Sequence, residues 1–347
     1  MITHILLFLL GLFLLVKGSD FFVKSAASIA KRFGISEFVI GLTLVAFGTQ
    51  IPDLASAVIA SLGRDSGIVI GNVVGANIMK VGIVLGIASV IALIKTNEDM
   101  LKRDGYIMLF AAFLFYAFIL DRTITRIEAG ILLLFYFAYI MFLFTEQRQF
   151  KGMYGFKHFM HYFFRLGYIS PIRAGLVSTL NRRKNKVAKQ KQAGSSLKDF
   201  LILIISCFVV FFGAKYFVSS AVFFAEYFKV PETLIGLTLV SLGTTVPELS
   251  VSILAAKRGY GNIAVGNIIG SNITSVFLLL GVSGLINPLS IIRSTVFYSA
   301  PFMILMSILL LVFIKSDWEL RRFEGVSFIG LYILFIVFLF LINLHLL

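Results

Sequence analysis

The sequence predicts an all-α polytopic membrane protein, with ten transmembrane helices in two inverted repeats of five. Three observations predict it. The 347 residues are 59% hydrophobic with a mean hydropathy of +0.97, more apolar surface than a soluble domain buries. Apolar runs long enough to cross a bilayer recur along the whole chain. The chain also repeats itself at a constant offset of 195 residues: GLTLVAFGTQIPDL from Gly41 answers GLTLVSLGTTVPEL from Gly236.

Taken in order, the expected spans are about 4–23, 37–62, 67–94, 104–121 and 124–144, then 199–224, 232–256, 261–286, 294–314 and 323–345. The first is too long for a signal-peptide core and is expected to be a retained helix. Spans two, three, seven and eight carry Gly, Pro, Ser, Thr and Asn, whereas the others are mostly Leu, Ile, Phe and Val, as lipid-facing helices should be. The repeat extends outward, since GSDFFVKSA from Gly18 matches GAKYFVSSA from Gly213, and Glu37 matches Glu232. Five spans per half force the second half to enter from the opposite side, which makes the copies inverted. The chain thus divides into a first repeat, 1–144, a basic loop, 145–198, and a second repeat, 199–347.

Charge supplies the orientation. The formal net charge is +14, and residues 145–198 hold twelve of the 31 Lys and Arg beside one acid. A basic loop of this kind marks the cytoplasmic side and a contact with lipid headgroups. No nucleic-acid motif accompanies it, which excludes DNA or RNA as the expected partner. Lys31, Arg32, Lys95, Lys102, Arg103, Lys257, Arg258, Lys315, Arg321 and Arg322 fall on the loop's side. The other side keeps Arg64, Arg122, Arg126, Lys229 and Arg293. Both termini are therefore expected outside, in the plasma membrane. The single cysteine, Cys207, reads as packing, and His4, His158, His161 and His345 do not form a metal site.

The chemistry lies in the two acid motifs. A carboxylate at mid-membrane costs about 2.5–3.5 kcal/mol on insertion scales and persists where a cation or partner offsets that cost. In GTQIPDL and GTTVPEL the proline removes a backbone donor and frees a carbonyl one turn back. Those carbonyls, with Thr49, Thr244, Thr245, Asp53 and Glu248, form a set of hard oxygen donors of the kind calcium takes. The following segments, GNVVGANIMK and GNIIGSNITS, place Asn72, Ala76 and Lys80 on one helical face and Asn267, Ser271 and Ser275 on the other copy's equivalent. Their glycines, at 71, 75, 266 and 270, have the spacing of close helix packing. Asn72 and Asn267 are open to two roles, capping or ligation. An intramembrane hydrolase using the two acids lacks a second catalytic element, and no enzyme activity is expected.

These motifs resemble the alpha repeats of the calcium/cation antiporter superfamily and are most similar to its sodium/calcium exchanger branch. The resemblance covers all ten spans in outline and is most specific over 41–86 and 236–281. It implies exchange of calcium against sodium by alternating access, with inorganic cations as cargo and no cofactor. On that footing the metal ligands are Thr49, Asp53, Thr244, Thr245, Glu248 and Ser271, and Gln50, Asn72, Asn77, Lys80, Asn267, Asn272 and Ser275 line the site.

The sequence departs from the family at several of these positions. The family commonly has Glu at Asp53, Ser at Gln50 and at Ala76, Asn or Asp at Lys80, and often Asp at Ser275. A lysine inside such a site is costly unless paired, and Asp53 and Glu248 are its nearest candidate partners. Lys80 is therefore expected to act as a tethered cation in place of one coupling ion. The alternatives are proton-coupled exchange, a homologue that binds cations without transporting them, or a Lys80 that snorkels to an interface.

Overall fold

The computed structural model describes residues 2–33, 37–96, 98, 101–146, 155–167, 193–227 and 241–345, with the side chains of 2, 30, 32–33, 37–38, 51–52, 55, 59, 144–146, 193–197, 214, 217–218, 221–222, 224–226, 241–244 and 343–345 excluded. Lys229, Glu232 and the 236–240 segment lie outside the described residues. The described chain is almost wholly helical, as a long apolar chain must be when no water is present to satisfy its backbone.

In order, α1 (Ile2–Phe33) is followed by α2 (Glu37–Ile40), which runs through a π-helical turn, Gly41–Val45, into α3 (Ala46–Leu62). Next, α4 (Ser66–Met79) continues through a second π-turn, Lys80–Leu85, into α5 (Gly86–Ile91). Strand β1 (Ile94–Lys95), a third π-turn (Leu101–Gly105), α6 (Tyr106–Phe118), β2 (Thr123–Ile124) and α7 (Arg126–Glu146) complete the first half. A short helix, α8 (Phe156–Phe164), follows in the basic loop. The second half contains α9 (Ala193–Tyr227), α10 (Ser241–Lys257) and α11 (Gly261–Thr274). A π-turn, Ser275–Leu279, leads to α12 (Leu280–Ile286), β3 (Leu289–Ser290), another π-turn (Thr295–Ser299), α13 (Ala300–Asp317), β4 (Glu319–Leu320) and α14 (Arg322–His345).

Among the described residues, six stretches are long and apolar enough to cross a membrane: Thr3–Ile29, Ser66–Ile91, Arg126–Leu143, Gly261–Ile286, Thr295–Asp317 and Arg322–Ile342. The other four expected spans fall on the helical stretches 37–62, 101–118, 193–227 and 241–257. Burial sorts centre from edge. In the apolar 18-residue core of Gly261–Ile286, 94% is buried within the protein, and in that of Arg322–Ile342 only 17%. The outer helices turn Leu6, Phe13, Phe208, Val337 and Phe340 outward, an apolar surface suited to lipid.

Helices α1 and α9 lie side by side and run in opposite directions. Ser28 donates to Asp199 at 2.8 Å near one end. Further along, a Cβ on Gly18 would sit 2.9 Å from Val209, and one on Gly213 would sit 2.8 Å from the Leu15 nitrogen. Gly18 and Gly213 are matched residues of the two halves, and each lets the other's helix approach closely.

The two halves interlock by exchanging equivalent contacts. Strand β1 pairs antiparallel with β4 (Ile94 opposite Leu320), and β2 pairs with β3 (Ile124 opposite Leu289). Gly86 packs on Ile329 of α14, and its match Gly281 packs on Leu133 of α7. The strand pairs bring Lys95 to one end of the bundle with Glu319, and Thr123 to the other with Ser290. A reciprocal cap starts α7: Glu128 accepts from the Thr125 N–H at 2.8 Å, and Thr125 accepts from the Glu128 N–H at 3.3 Å.

The basic loop contains one element that the sequence reading omitted. Helix α8 buries Phe159 completely against Tyr139 and Phe142 and stacks Phe163 on Phe135 with ring centroids 4.1 Å apart. The Phe156, Phe159 and Phe163 spacing gives it an apolar face, while Lys157, His158 and His161 stay exposed.

Candidate functional site

Thr49, Gln50 and Asp53 share one face of α3 through i, i+1, i+4 spacing, and Thr245, Glu248 and Ser252 share one face of α10. Although each proline removes a backbone donor, both acid-bearing helices run on through them. A proline inside a helix removes one hydrogen bond, here the one to the carbonyl four residues earlier; in the first half the π-turn Gly41–Val45 lies about two turns upstream of the proline. The Gly48 carbonyl, which Pro52 cannot bond, accepts from the Cys207 thiol at 3.4 Å. That carbonyl is satisfied by α9 rather than held open for a ligand, and Cys207 does more than pack.

The acids converge. Asp53 is 1% exposed and Glu248 0%. The Gln50 side-chain nitrogen donates to Asp53 Oδ2 at 3.3 Å and to Glu248 Oε1 at 3.5 Å, so one amide touches the carboxylates of both halves. Lys80, fully buried at the head of its π-turn, places Nζ 3.5 Å from Asp53 Oδ2 and donates to Ser275 Oγ at 3.3 Å. Ser275 heads the matching π-turn of the second half. Its oxygen lies 3.1 Å from Gln50 Oε1 and 2.8 Å from the Ser271 carbonyl, one of which takes its single proton. Turns of π geometry recur at functional sites because the extra residue re-aims side chains out of helical register.

Around this centre lie further polar groups. The Thr49 hydroxyl lies 3.2 Å from the Ala46 carbonyl and 3.3 Å from Asn267 Oδ1, one of which takes its single proton, and Asn267 donates to Ser252 Oγ at 3.3 Å. The two ends of that amide thus face α3 and α10 from α11. Ser271 donates to the Ile268 carbonyl at 3.1 Å, and Thr245 lies 2.9 Å from the Met79 sulfur. Asn77 donates to the Met303 sulfur at 3.6 Å, and its match Asn272 donates to the Met108 sulfur at 3.7 Å. In this cluster Glu248 Oε2, Asn77 Oδ1 and Asn272 Oδ1 are buried and accept no hydrogen bond from the described residues. Acceptors shut from water without donors are the donor set a cation needs. Asn72 sits half-buried on the outer part of α4, and the Thr244 side chain lies outside the described residues. A small cleft between α1, α9 and the acid helices reaches Thr49 and Pro247, with Phe22, Gly48, Cys207 and Val251 on its walls.

The apolar helices and the buried, charged oxygen cluster define an integral, multi-pass membrane protein with a polar centre shared by its two halves. The chain belongs to the family of sodium/calcium exchanger proteins, whose pattern matches it twice, over residues 3–145 and 198–341. It is 50% identical to the sodium/calcium exchanger MaX1 of Methanosarcina acetivorans, over 99% of this chain and 100% of that one. It is 28% identical to the inner membrane protein YrbG of Escherichia coli, over 81% of this chain and 79% of that one. A solved structure of the sodium-calcium exchanger NCX_Mj superimposes with a TM-score of 0.77 at 31% identity, covering 97% of this chain and 98% of that one.

Proposed function

We propose that this protein exchanges calcium against sodium across the cell membrane, by alternating access at the site between its halves. The observation that carries this is the convergence of Asp53 and Glu248, one acid from each half, on a single buried amide. Two carboxylates with a surrounding set of amide and hydroxyl oxygens suit a hard divalent ion that is bound for part of a cycle. Thr49, Asp53, Thr244, Thr245, Glu248 and Ser271 serve as ligands, with the Asn77 and Asn272 oxygens turned to the cargo and Asn267 bracing the helices.

Alternating access follows if the halves, 1–144 and 199–347, are inverted copies of five spans each. The antiparallel approach of α1 and α9 and the crossed pairs β1–β4 and β2–β3 support that relation. The basic residues put the 145–198 loop in the cytoplasm and both termini outside, with the loop's cations on lipid headgroups.

The test is calcium-45 uptake by the purified protein in proteoliposomes, with sodium and pH gradients varied independently. Uptake driven by an outward sodium gradient is expected. Uptake that follows the pH gradient instead identifies proton coupling. A second reading, in which the protein binds cations without moving them, draws on the Lys80–Asp53 pair. Saturable calcium binding with no flux under any gradient would establish it.

A further inference from the structure

We propose that the Lys80 ammonium is a built-in cation that replaces one coupling sodium, so that the protein exchanges two sodium ions for one calcium and moves no net charge. This rests on the exchange reading above.

Lys80 and Ser275 are matched residues of the two halves, 195 apart in sequence, and they touch each other. A residue that meets its own counterpart across a twofold relation must lie close to the axis. Lys80 is therefore central to the site rather than at its margin. It is fully buried, and its nitrogen sits 3.5 Å from Asp53 and 3.3 Å from Ser275. Its stem cannot reach water from there, which rules out snorkelling to an interface. The position is also buttressed. Gln50 bonds Asp53 through its nitrogen and faces Ser275 through its oxygen, so the partners that hold the ammonium also hold one another.

The charge balance then sets the coupling. Among the described residues this site contains two carboxylates, Asp53 and Glu248, and one ammonium, Lys80. One negative charge is left for cargo. Calcium turns it into one positive charge, and two sodium ions do the same. A third sodium ion would leave two positive charges in a site shut from water, where each uncompensated charge is expensive. One calcium and two sodium ions leave the same residual charge, and an exchanger needs its two loaded forms to be comparable in cost to cross the membrane. Ser275 contributes in the same direction, since its neutral hydroxyl adds an oxygen without another charge to fill.

Equal charge in the two half-cycles predicts indifference to membrane potential. One net charge moved per cycle shifts the equilibrium calcium accumulation ratio about fifty-fold per 100 mV. The experiment fixes the sodium gradient in proteoliposomes, sets the potential with potassium and valinomycin, and measures calcium-45 accumulation at steady state. The wild-type ratio is expected to stay constant across a step of about 100 mV, while Lys80→Asn is expected to shift toward the fifty-fold change. A wild-type ratio that follows the potential overturns the proposal, whether or not any variant folds. If the wild type moves no calcium, the exchange reading fails separately, and sodium-22 equilibrium binding to the detergent-purified protein decides the role of Lys80. One fewer sodium ion bound by the wild type than by Lys80→Asn, or by Lys80→Gln if the first does not fold, upholds the built-in cation. Equal numbers overturn it.

Discussion

The Asn77 side chain donates its amide N–H to the sulfur of Met303, 226 residues away, at 3.6 Å. Asn272 repeats this with Met108 at 3.7 Å, the partners exchanged between halves. A thioether is a weak acceptor, so the bond orients the amide more than it stabilises the fold. What it orients is the opposite end, an oxygen to which no described residue donates. Asn77→Leu and Asn272→Leu are each expected to weaken calcium binding about tenfold, the low end for a polar contact to a charge. Calcium-45 equilibrium binding measures this, with thermal melting as the check on folding. Unchanged affinity in both variants would reduce the two asparagines to packing.

Glu248→Gln separates charge from shape. The side chains are nearly isosteric, and Glu248 is fully buried with Oε2 lacking a donor among the described residues. Loss of the charge is expected to abolish calcium flux, by at least about a hundredfold, because ligand charge count sets calcium affinity across several decades. The melting temperature is expected to hold or rise, since a desolvated charge is removed. Wild-type flux in this variant would exclude Glu248 as a principal ligand.

The acids were legible because recurrence is a strong signal: Asp53 and Glu248 each sit in a Gly-Thr-x-x-Pro-acid frame at one offset. Lys80 was legible as a departure from that recurrence. What the sequence could not display was the partner of each group. No spacing rule sends the Asn77 amide to Met303 or the Cys207 thiol to Gly48, because those pairings arise from helices packed across the two halves. Two-residue strands such as β1 and β4 have no periodicity to read. Helix α8 did have a readable signal in Phe156, Phe159 and Phe163, but it lay within a loop dominated by its charges. Each proline removes a backbone donor, yet the helix runs on, and in the first half the Cys207 thiol takes the carbonyl that is freed.

Gly270 tests the close approach of the two halves. A Cβ there would lie 2.8 Å from the Leu42 Cα, in the π-turn ahead of Asp53. Backbone cannot swing aside as a side-chain end can, so α11 would have to retreat. Gly270→Ala is expected to cost about 1–3 kcal/mol, the range for overpacking, and to lower flux by displacing Ser271 and Ser275. Gly330→Ala is the control, because no described atom lies within 4 Å of its Cβ position, and it is expected to leave both melting and flux unchanged. A neutral Gly270→Ala would show that the interface is looser than this contact requires.

Gln50 gives a prediction of the opposite sign, a substitution that tightens binding. Its nitrogen donates to Asp53 at 3.3 Å and to Glu248 at 3.5 Å, so it occupies oxygens that a cation would use. Both bonds are long for N–H···O, which places them at the weak end for a contact to a charged group. Displacing them still costs something each time an ion enters. Gln50→Ser removes the donor and leaves a small hydroxyl, the residue type to which the family resemblance points at this position. Calcium affinity is expected to rise about tenfold, corresponding to roughly 1.4 kcal/mol of relieved competition. The same change frees Ser275 to turn its proton wholly to the Ser271 carbonyl, which lies 2.8 Å away, so the Lys80 anchor survives. Equilibrium calcium-45 binding to wild type and Gln50→Ser measures the difference at fixed sodium. A fall in affinity would mean that the Gln50 oxygen is itself a ligand, and that the amide turns over to meet the ion.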